Sequence, residues 1–427
     1  MTRKRKKIFK TFSRLQASVH QKKRFLLFAQ YIHLHLGRLY KERLMKIWVM
    51  GFTLCLGCVL NAANIAVIGV GKVGLCLALA LEQKGHNVLG VDVSAKYVDL
   101  LNRKELISPE PGVMDLLKTS QNFRATTSLK EGMEFSRLCF VLVPTAIGEE
   151  GYCLDIMTEL LQNIASMQLS NKHIVICSTV LPGYNRNVVK ELFKDQSGVA
   201  VSYTPPFIAQ GSILNNFFYP DMVLLGVDSA SAADELKDIY RVICDNHPYF
   251  AQMSVASAEI AKLALNSFVT AKIAFANLVG DIADKTYGAD KYAIMKAIGQ
   301  DSRIGAKYFT PGYGFGGPCF TRDNRALAQY CDTIDMESTI FSTTDYANEQ
   351  HAQFMAKQFI EQGLEEYVFE DISYKSNCPV KIIENSQKLR VAELVAKEGK
   401  RVVVVEQPDV IQLVREKFGD LFTYIAL

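Results

Sequence analysis

The chain has 427 residues, of which 49% are hydrophobic and 22% charged, as in a globular enzyme of two or three domains and unlike a disordered chain. The net charge of +4 is uneven: residues 1–46 contain fourteen Lys or Arg against one acid, Glu42, so the remainder carries −9. That acidic remainder gives no electrostatic reason to bind nucleic acid, and we predict no such partner.

The N-terminal extension, residues 1–63, is basic and then hydrophobic. Its segment 47–63 has no charged residue and follows dense positive charge. Three interpretations stay open: membrane association as an anchor or interfacial segment, a cleaved signal, or an upstream extension whose start is Met45 or Met50.

Short apolar strands alternate with helical stretches from Asn64 to Ser254. The predicted strands are 65–68, 88–91, 138–143, 174–177, 199–203, 223–225 and 249–252. The predicted helices are 74–83, 155–166, 187–193 and 232–244. Such alternation is typical of βαβ units around a parallel sheet, so we predict a Rossmann-like dinucleotide-binding domain over 64–254.

A different pattern follows Ser254. A long helix is predicted to run to about Tyr287 within a central, mostly helical domain over 255–362. Residues 363–427 return to strand and helix at 368–373, 386–397, 401–406, 410–418 and 422–426. The predicted fold class is α/β, with a long-helix central domain and a short C-terminal α/β domain.

A glycine motif directly follows the first strand and opens a helix. It consists of Gly69, Gly71, Lys72, Val73 and Gly74. Asp92 ends the next strand, where a carboxylate accepts hydrogen bonds from ribose hydroxyls and repels a 2′-phosphate. These residues predict an NAD site. Thr145 ends a later strand at the same sheet edge, and its spacing fits a cofactor loop and a simple strand end equally well.

Cys319 is the most distinctive of ten cysteines, because glycines surround it in the segment Tyr-Gly-Phe-Gly-Gly-Pro-Cys. We expect it to be exposed, with nearby amides favouring its thiolate, and interpret it as a nucleophile. The alternative is a buried structural cysteine. The ten cysteines show no metal-ligand spacing beyond Cys55 and Cys58, which lie without a second pair in an apolar run, so we predict no metal and a reducing, cytoplasmic compartment.

Lys262 and Asn266 are four residues apart on the predicted long helix, so both project from one face. Spacing alone favours a solvated stripe that also includes Glu259 over a catalytic pair.

Several motifs occur in one order along the chain. They are Gly69-x-Gly71-x-x-Gly74, Glu110-Pro111-Gly112, Val143-Pro144-Thr145, Ser178-Thr179-Val180, Ala258-Glu-Ile-Ala-Lys262, Arg303-Ile304-Gly305 and the cysteine motif. With them the sequence resembles the UDP-glucose/UDP-mannuronate dehydrogenase family, most closely its UDP-glucose 6-dehydrogenase branch, over about 64–345. The resemblance implies NAD as cofactor, a UDP-sugar substrate and a homodimer through the long helix.

The resemblance also implies a chemistry. A sugar C6 alcohol, with UDP-glucose as the leading substrate, is oxidised twice through a thiohemiacetal and a thioester on the cysteine, giving UDP-glucuronate for polysaccharide biosynthesis. The implied catalytic residues are Cys319, Lys262 and Asp323 for protons and the oxyanion, Asn266 for substrate orientation and Thr179 for the water. The implied substrate-binding residues are Arg303 from a neighbouring subunit, Phe315, Gly316 and Lys375.

The sequence departs from the family pattern in three ways. Pro206 and Gln210 stand where the family has glutamates, the first of which is assigned to the hydrolytic water. Thr321-Arg322 replaces the usual Pro-Lys, and the third domain is short. Pro206 and the short third domain support an alternative, a degenerate homologue that binds nucleotide or a partner without full turnover. A one-step dehydrogenase of the 6-phosphogluconate or 3-hydroxyacid type is disfavoured, because it needs no thiol.

Overall fold

The computed structural model describes residues 62–148, 151–375 and 378–427. Of the predicted N-terminal extension, only Ala62 and Ala63 fall within these ranges. Residues 47–61 of the hydrophobic segment, including the pair Cys55 and Cys58, therefore lie outside the described residues.

An eight-stranded sheet organises the first part of the described chain. Its main strands are β1 (Asn64–Ile68), β2 (Asn87–Val91), β3 (Phe123–Thr126), β4 (Leu138–Val141), β7 (Lys172–Ile176), β8 (Val199–Tyr203), β9 (Met222–Gly226) and β10 (Tyr249–Met253). The spatial order is β10-β9-β8-β7-β4-β1-β2-β3. Neighbours are parallel except β8 and β9, which meet antiparallel. The Rossmann-like sheet predicted from the alternation is confirmed.

Both faces of this sheet are covered, which explains its continuous apolar strands. In β1, Ile65 and Val67 belong to one buried layer, while Ala66 and Ile68 belong to the other. The covering helices are α1 (Lys72–Gln83), α2 (Ala95–Arg103), α3 (Val113–Thr119), α4 (Leu129–Phe135), α5 (Asp155–Ser166), α6 (Lys190–Phe193), α7 (Ile213–Phe218) and α8 (Ala230–Ile243). A π-helical turn, Asn185–Val189, leads into α6.

Several short elements had no counterpart in the sequence-based prediction. Strand β3 and helices α3, α4 and α7 are too short to display a clear period. Helix α2, with nine residues, was also not predicted. The same holds for a two-stranded antiparallel hairpin, β5 (Ala146–Gly148) and β6 (Gly151–Cys153), which follows the cofactor-side loop. The hairpin carries Tyr152.

The central region is built on α9 (Val255–Asp284), whose N-terminal amide at Ser257 is capped by the Ser254 side chain. Helices α10 (Lys291–Gly299), α11 (Phe320–Thr333) and α12 (Thr339–Glu361) follow. Helix α9 packs against both α11 and α12. It is long and apolar enough to cross a membrane by length and composition, yet it buries polar residues such as Glu259 and Asn277, as a core helix of a folded domain does.

The C-terminal region is a small α/β layer. Strands β11 (Glu366–Glu370), β12 (Arg401–Glu406) and β13 (Thr423–Ala426) form a parallel three-stranded sheet in that order. Helices α13 (Gln387–Lys397) and α14 (Pro408–Phe418) accompany it. Ala352 and Ala356 of α12 belong to the same buried cluster as Tyr367 and Phe369 of β11, so this layer is anchored to the central helices.

Candidate active site

The turn between β1 and α1 has the geometry of a phosphate-binding loop. A Cβ at Gly74 would lie 1.9 Å from the Gly69 carbonyl oxygen, so only glycine allows this close helix-strand approach. A Cβ at Gly71 would meet no atom within 4 Å, which leaves open space above the turn. The Tyr97 hydroxyl donates to the Val70 carbonyl at 2.9 Å and holds the turn in place.

Helix α1 begins after Gly71 without a side-chain cap and without an acid in its first turn. Its first amides therefore point into the open space beside exposed Lys72 and half-buried Val73. Asp92, at the end of β2, is half-buried and accepts a hydrogen bond from the Ser94 amide at 3.0 Å. A dinucleotide fits this arrangement, with its pyrophosphate at the helix N-terminus and a ribose at the carboxylate.

The loops after β4 and β7 are tied together at the same sheet edge. The Thr145 hydroxyl donates to the Thr179 carbonyl at 2.8 Å, and the Ser178 hydroxyl donates to the Val143 carbonyl at 2.7 Å. Thr145 and Thr179 thus lie next to each other, although 34 residues separate them.

On one side, the glycine-rich loop before Cys319 is held by hydrogen bonds to the central helices. The amide of Gly312 donates to Asn277 Oδ1 at 2.9 Å. Asn348 of α12 binds Phe315 twice: its Oδ1 accepts from the amide at 2.9 Å, and its Nδ2 donates to the carbonyl at 3.0 Å. Phe315 itself is buried, so its backbone is clamped and its ring packs inside the protein.

The C-terminal region holds the other side of this loop. The Gly317 amide donates to the Glu384 carbonyl at 3.0 Å, and Asn385 Nδ2 donates to the Gly317 carbonyl at 3.2 Å. Gly317 has φ +81°, and a Cβ there would lie 2.6 Å from the Tyr374 ring. A Cβ at Gly316 would lie 2.2 Å from the Asn385 carbonyl oxygen. The loop is therefore fixed between two regions of the chain, with Gly316 and Gly317 at points of close contact.

Cys319 lies directly before α11 and is open to solvent on one side, as expected. The packed protein on its other side opposes ionisation: burial raises the pKa of the thiol, Arg322 and Lys262 lower it, and Asp323 raises it. The net pKa is above the ordinary thiol value. The expectation that nearby amides favour the thiolate is therefore wrong in the free protein, because desolvation outweighs the cations.

Lys262, Asn266 and Asp323 converge beside Cys319. Asn266 Nδ2 donates to Asp323 Oδ2 at 2.6 Å, and the Tyr152 hydroxyl donates to Asp323 Oδ1. The charges of Asp323 and Cys319 both act on the ammonium of Lys262. The solvated stripe favoured by spacing alone is wrong, since Lys262 is buried.

Pro206 contacts the lysine through its backbone. Lys262 Nζ donates to the Pro206 carbonyl at 2.7 Å and lies 4.5 Å from the centre of the Phe207 ring. Burial lowers the pKa of Lys262, an effect that the negative charges of Asp323 and Cys319 only partly reverse. Glu110 fixes the segment that follows, because its carboxylate accepts the amides of Gly211 at 2.8 Å and Ile213 at 2.6 Å.

One predicted substrate residue, Arg303, lies apart from this cluster within one copy of the chain. Arg303 is exposed and pairs with Asp301 at 2.7 Å. The adjacent Gly305 carbonyl accepts from Lys272 at 3.0 Å, and Lys272 follows Lys262 on α9 by ten residues, about 15 Å along a helix. Lys375 is exposed and follows Tyr374, which lies against Gly317.

Sequence reasoning missed four side chains that build the site. They are Tyr152, Asn277, Asn348 and Asn385. Each acts across a long sequence separation, 171 residues in the case of Tyr152 and Asp323. No periodicity or motif marks these contacts.

Comparison with known proteins identifies the family. The NAD-binding-domain model of the UDP-glucose/GDP-mannose dehydrogenase family matches residues 63–244, and its central-domain model matches 256–350. The chain belongs to this family. A putative UDP-glucose 6-dehydrogenase, YtcA, of Bacillus subtilis is 32% identical over 79% of each chain. The GDP-mannose 6-dehydrogenase of Pseudomonas aeruginosa is 32% identical over 68% of this chain and 69% of its own.

The fold agrees as well. A UDP-glucose dehydrogenase structure from Pyrobaculum islandicum superposes with a TM-score of 0.76 and 27% identity, over 86% of this chain and 87% of that one. The family resemblance, the α/β fold and NAD as cofactor are thereby confirmed. The protein is an NAD-dependent oxidoreductase of the nucleotide-sugar dehydrogenase family.

Proposed function

We propose that this protein oxidises the C6 alcohol of a UDP-hexose, UDP-glucose first among them, to the acid in two steps through Cys319. The observation that carries the proposal is the convergence of a solvent-accessible cysteine with Lys262, Asn266 and Asp323, on a loop clamped from both sides. One-step hydride transfer has no use for a thiol there.

Bound NAD supplies the hydride acceptor for each oxidation. In the proposed mechanism the Cys319 thiol first releases its proton to solvent, and the thiolate adds to the aldehyde carbon. A C–S bond forms, the C=O π bond breaks, and the carbonyl oxygen becomes an alkoxide. The Lys262 ammonium and the Asn266 amide are the donors beside it. Loss of hydride leaves a thioester. Water then adds, the C–S bond breaks, the thiolate leaves, and a carboxylate product remains.

Hydrolysis depends on a base for the attacking water. The Pro206 carbonyl accepts a hydrogen bond from Lys262, but it cannot take up a proton at neutral pH. Asp323 is the carboxylate bonded to Asn266 in this cluster. We assign proton uptake from the water to Asp323, with Thr179 positioning that water, and we expect hydrolysis to be the slow step.

Substrate binding is assigned to both sides of the cysteine loop. Phe315 and Gly316 would shape the sugar pocket through the backbone, since the Phe315 ring is buried. Lys375 would approach the UDP phosphates from the C-terminal region. Arg303 would act in the site of a second copy, because within its own chain it lies away from Cys319.

A homodimer is proposed through α9. Phe268, Phe275 and Ile282 are exposed at intervals of seven residues, and Leu278 is exposed between them, so the helix presents an apolar stripe. Stripes of this kind are buried against a second helix in assembled proteins.

Cytoplasmic localisation is proposed, because the reaction consumes NAD and needs a reduced thiol. Association of residues 47–63 with a membrane remains part of this proposal, and fractionation of a tagged full-length chain tests it. Recovery of the intact chain entirely in the soluble fraction would contradict membrane association.

The second candidate function is a degenerate homologue that binds nucleotide without full turnover, and Pro206 is the observation that favours it. To separate the two, the purified protein is mixed with NAD and UDP-glucose, GDP-mannose or UDP-N-acetylmannosamine, and NADH is followed by absorbance. Steady turnover with UDP-glucose supports the proposal. A preference for GDP-mannose would show that the proposed substrate, UDP-glucose, is wrong. Absence of NADH with every sugar, alongside measurable NAD binding, would favour the degenerate homologue.

A further inference from the structure

Arg322 joins the cysteine to the cofactor side of the site. One guanidinium nitrogen, Nη1, donates to the Thr145 carbonyl at 3.1 Å, and the other, Nη2, lies 4.0 Å from Cys319 Sγ. The guanidinium carbon lies 4.9 Å from the centre of the Tyr152 ring, as in a cation-π contact. One planar group therefore touches the loop after β4, the β5–β6 hairpin and the sulfur at once.

These contacts restrict the position of the charge. A guanidinium is planar and presents its donors in a fixed fork, so the contact at Thr145 and the stacking on Tyr152 together determine where Nη2 lies. A lysine ammonium is a single point charge without this planar fork, so it does not present separate donors to the Thr145 carbonyl and to the sulfur from one fixed plane. Burial opposes the charge on Arg322, but Tyr152, Cys319 and Asp323 outweigh it and raise its pKa, so it stays a cation.

We propose that Arg322 is the principal counter-charge of the Cys319 thiolate, held at the sulfur by the Thr145 carbonyl and the Tyr152 ring. The inference deepens the proposed function, because it concerns the same cysteine. It does not require turnover for its test.

The other charged groups around Cys319 do not replace this role. Lys262, from α9, donates to the Pro206 carbonyl at 2.7 Å, and among the cations its effect on the thiol is second to that of Arg322. Asp323 on α11 and Glu384 on the loop before α13 disfavour the thiolate. Tyr374, from the same C-terminal region, is neutral at working pH because burial raises its pKa to about 12.

The test measures the alkylation rate of Cys319 by iodoacetamide between pH 6 and 10.5 in the purified full-length protein. Mass spectrometry of the Cys319 peptide separates it from the other cysteines. Arg322→Gln is expected to move the midpoint of the rate profile upward by about one pH unit, the lower end of the range for a charge a few ångströms away. The matched control is Arg325→Gln, which removes the same charge from an exposed position on the same helix.

Arg322→Lys keeps the positive charge but removes the planar guanidinium, so it tests whether the fixed geometry of the donors is needed. The midpoint of its alkylation-rate profile is expected to move upward by less than that of Arg322→Gln. If circular dichroism shows that Arg322→Gln does not fold, Arg322→Lys alone provides the test. A wild-type profile in both Arg322 variants would overturn the proposal, and so would an equal shift in Arg325→Gln. A shift confined to the Arg322 variants in a protein that oxidises no nucleotide sugar would uphold the inference while refuting the proposed function.

Discussion

Asn348→Ala should loosen the cysteine loop without touching any reacting group. The substitution removes both hydrogen bonds to Phe315, at 2.9 and 3.0 Å, and leaves a buried amide and a buried carbonyl without partners. Each unsatisfied group costs about 1–3 kcal/mol, so we expect the free energy of unfolding to fall by roughly 2–6 kcal/mol. Because Cys319 follows Phe315 by four residues, turnover should fall by about a hundredfold, as small misplacements of reacting groups do.

The assay is urea unfolding followed by fluorescence, together with initial NADH production at saturating sugar. Gln350→Ala is the control, since it truncates an exposed amide two residues away on the same helix. The reasoning is refuted if Asn348→Ala unfolds at the urea concentration of Gln350→Ala and keeps wild-type turnover.

Three further predictions concern the cofactor, the lysine and the dimer. Gly71→Ala should fold normally but bind NAD more weakly, as measured by calorimetry. Gly74→Ala should instead lower the melting temperature, because its Cβ would lie 1.9 Å from the Gly69 carbonyl oxygen. Equal melting temperatures and equal NAD affinities of the two variants would contradict the loop geometry. Since the pKa of Lys262 is lowered, the amine loses its proton below pH 10.5 and activity should decline on that alkaline limb. In Lys262→Arg the alkaline decline of activity should move to higher pH, whereas in Lys272→Arg it should stay in place. An unchanged decline in Lys262→Arg would show that another group causes it. Phe268→Asp should yield a monomer in sedimentation velocity, unlike the control Ile156→Asp on α5; a persistent dimer would exclude this face of α9.

Sequence patterns were informative where a local rule determines the structure. Strands β1 and β2 are buried on both faces, so they are continuous apolar runs between turns. The NAD loop could be predicted because its glycines, its helix start and Asp92 lie within 24 residues. Cys319 was identified by its glycine neighbours, whose contacts with Asn385 and Tyr374 explain why side chains are absent there.

Patterns failed where distant segments meet. The spacing of Lys262 and Asn266 could not distinguish a solvated face from a site, because the answer depends on α11 packing against α9. The expectation of a favoured Cys319 thiolate failed for a related reason. It rested on nearby amides in the sequence, whereas the desolvation that raises the thiol pKa comes from segments that only the fold brings together. Tyr152 lies on β6, a strand of three residues that is too short to be recognised from sequence without its pairing to β5.

The most direct test of the central claim is the stoichiometry of NADH per molecule of UDP-glucose in wild type and in Cys319→Ser. We predict two NADH and a carboxylate product in wild type, with at most one NADH and no acid in the serine variant. Release of the acid by Cys319→Ser at the wild-type rate would show that the oxidation does not proceed through this cysteine.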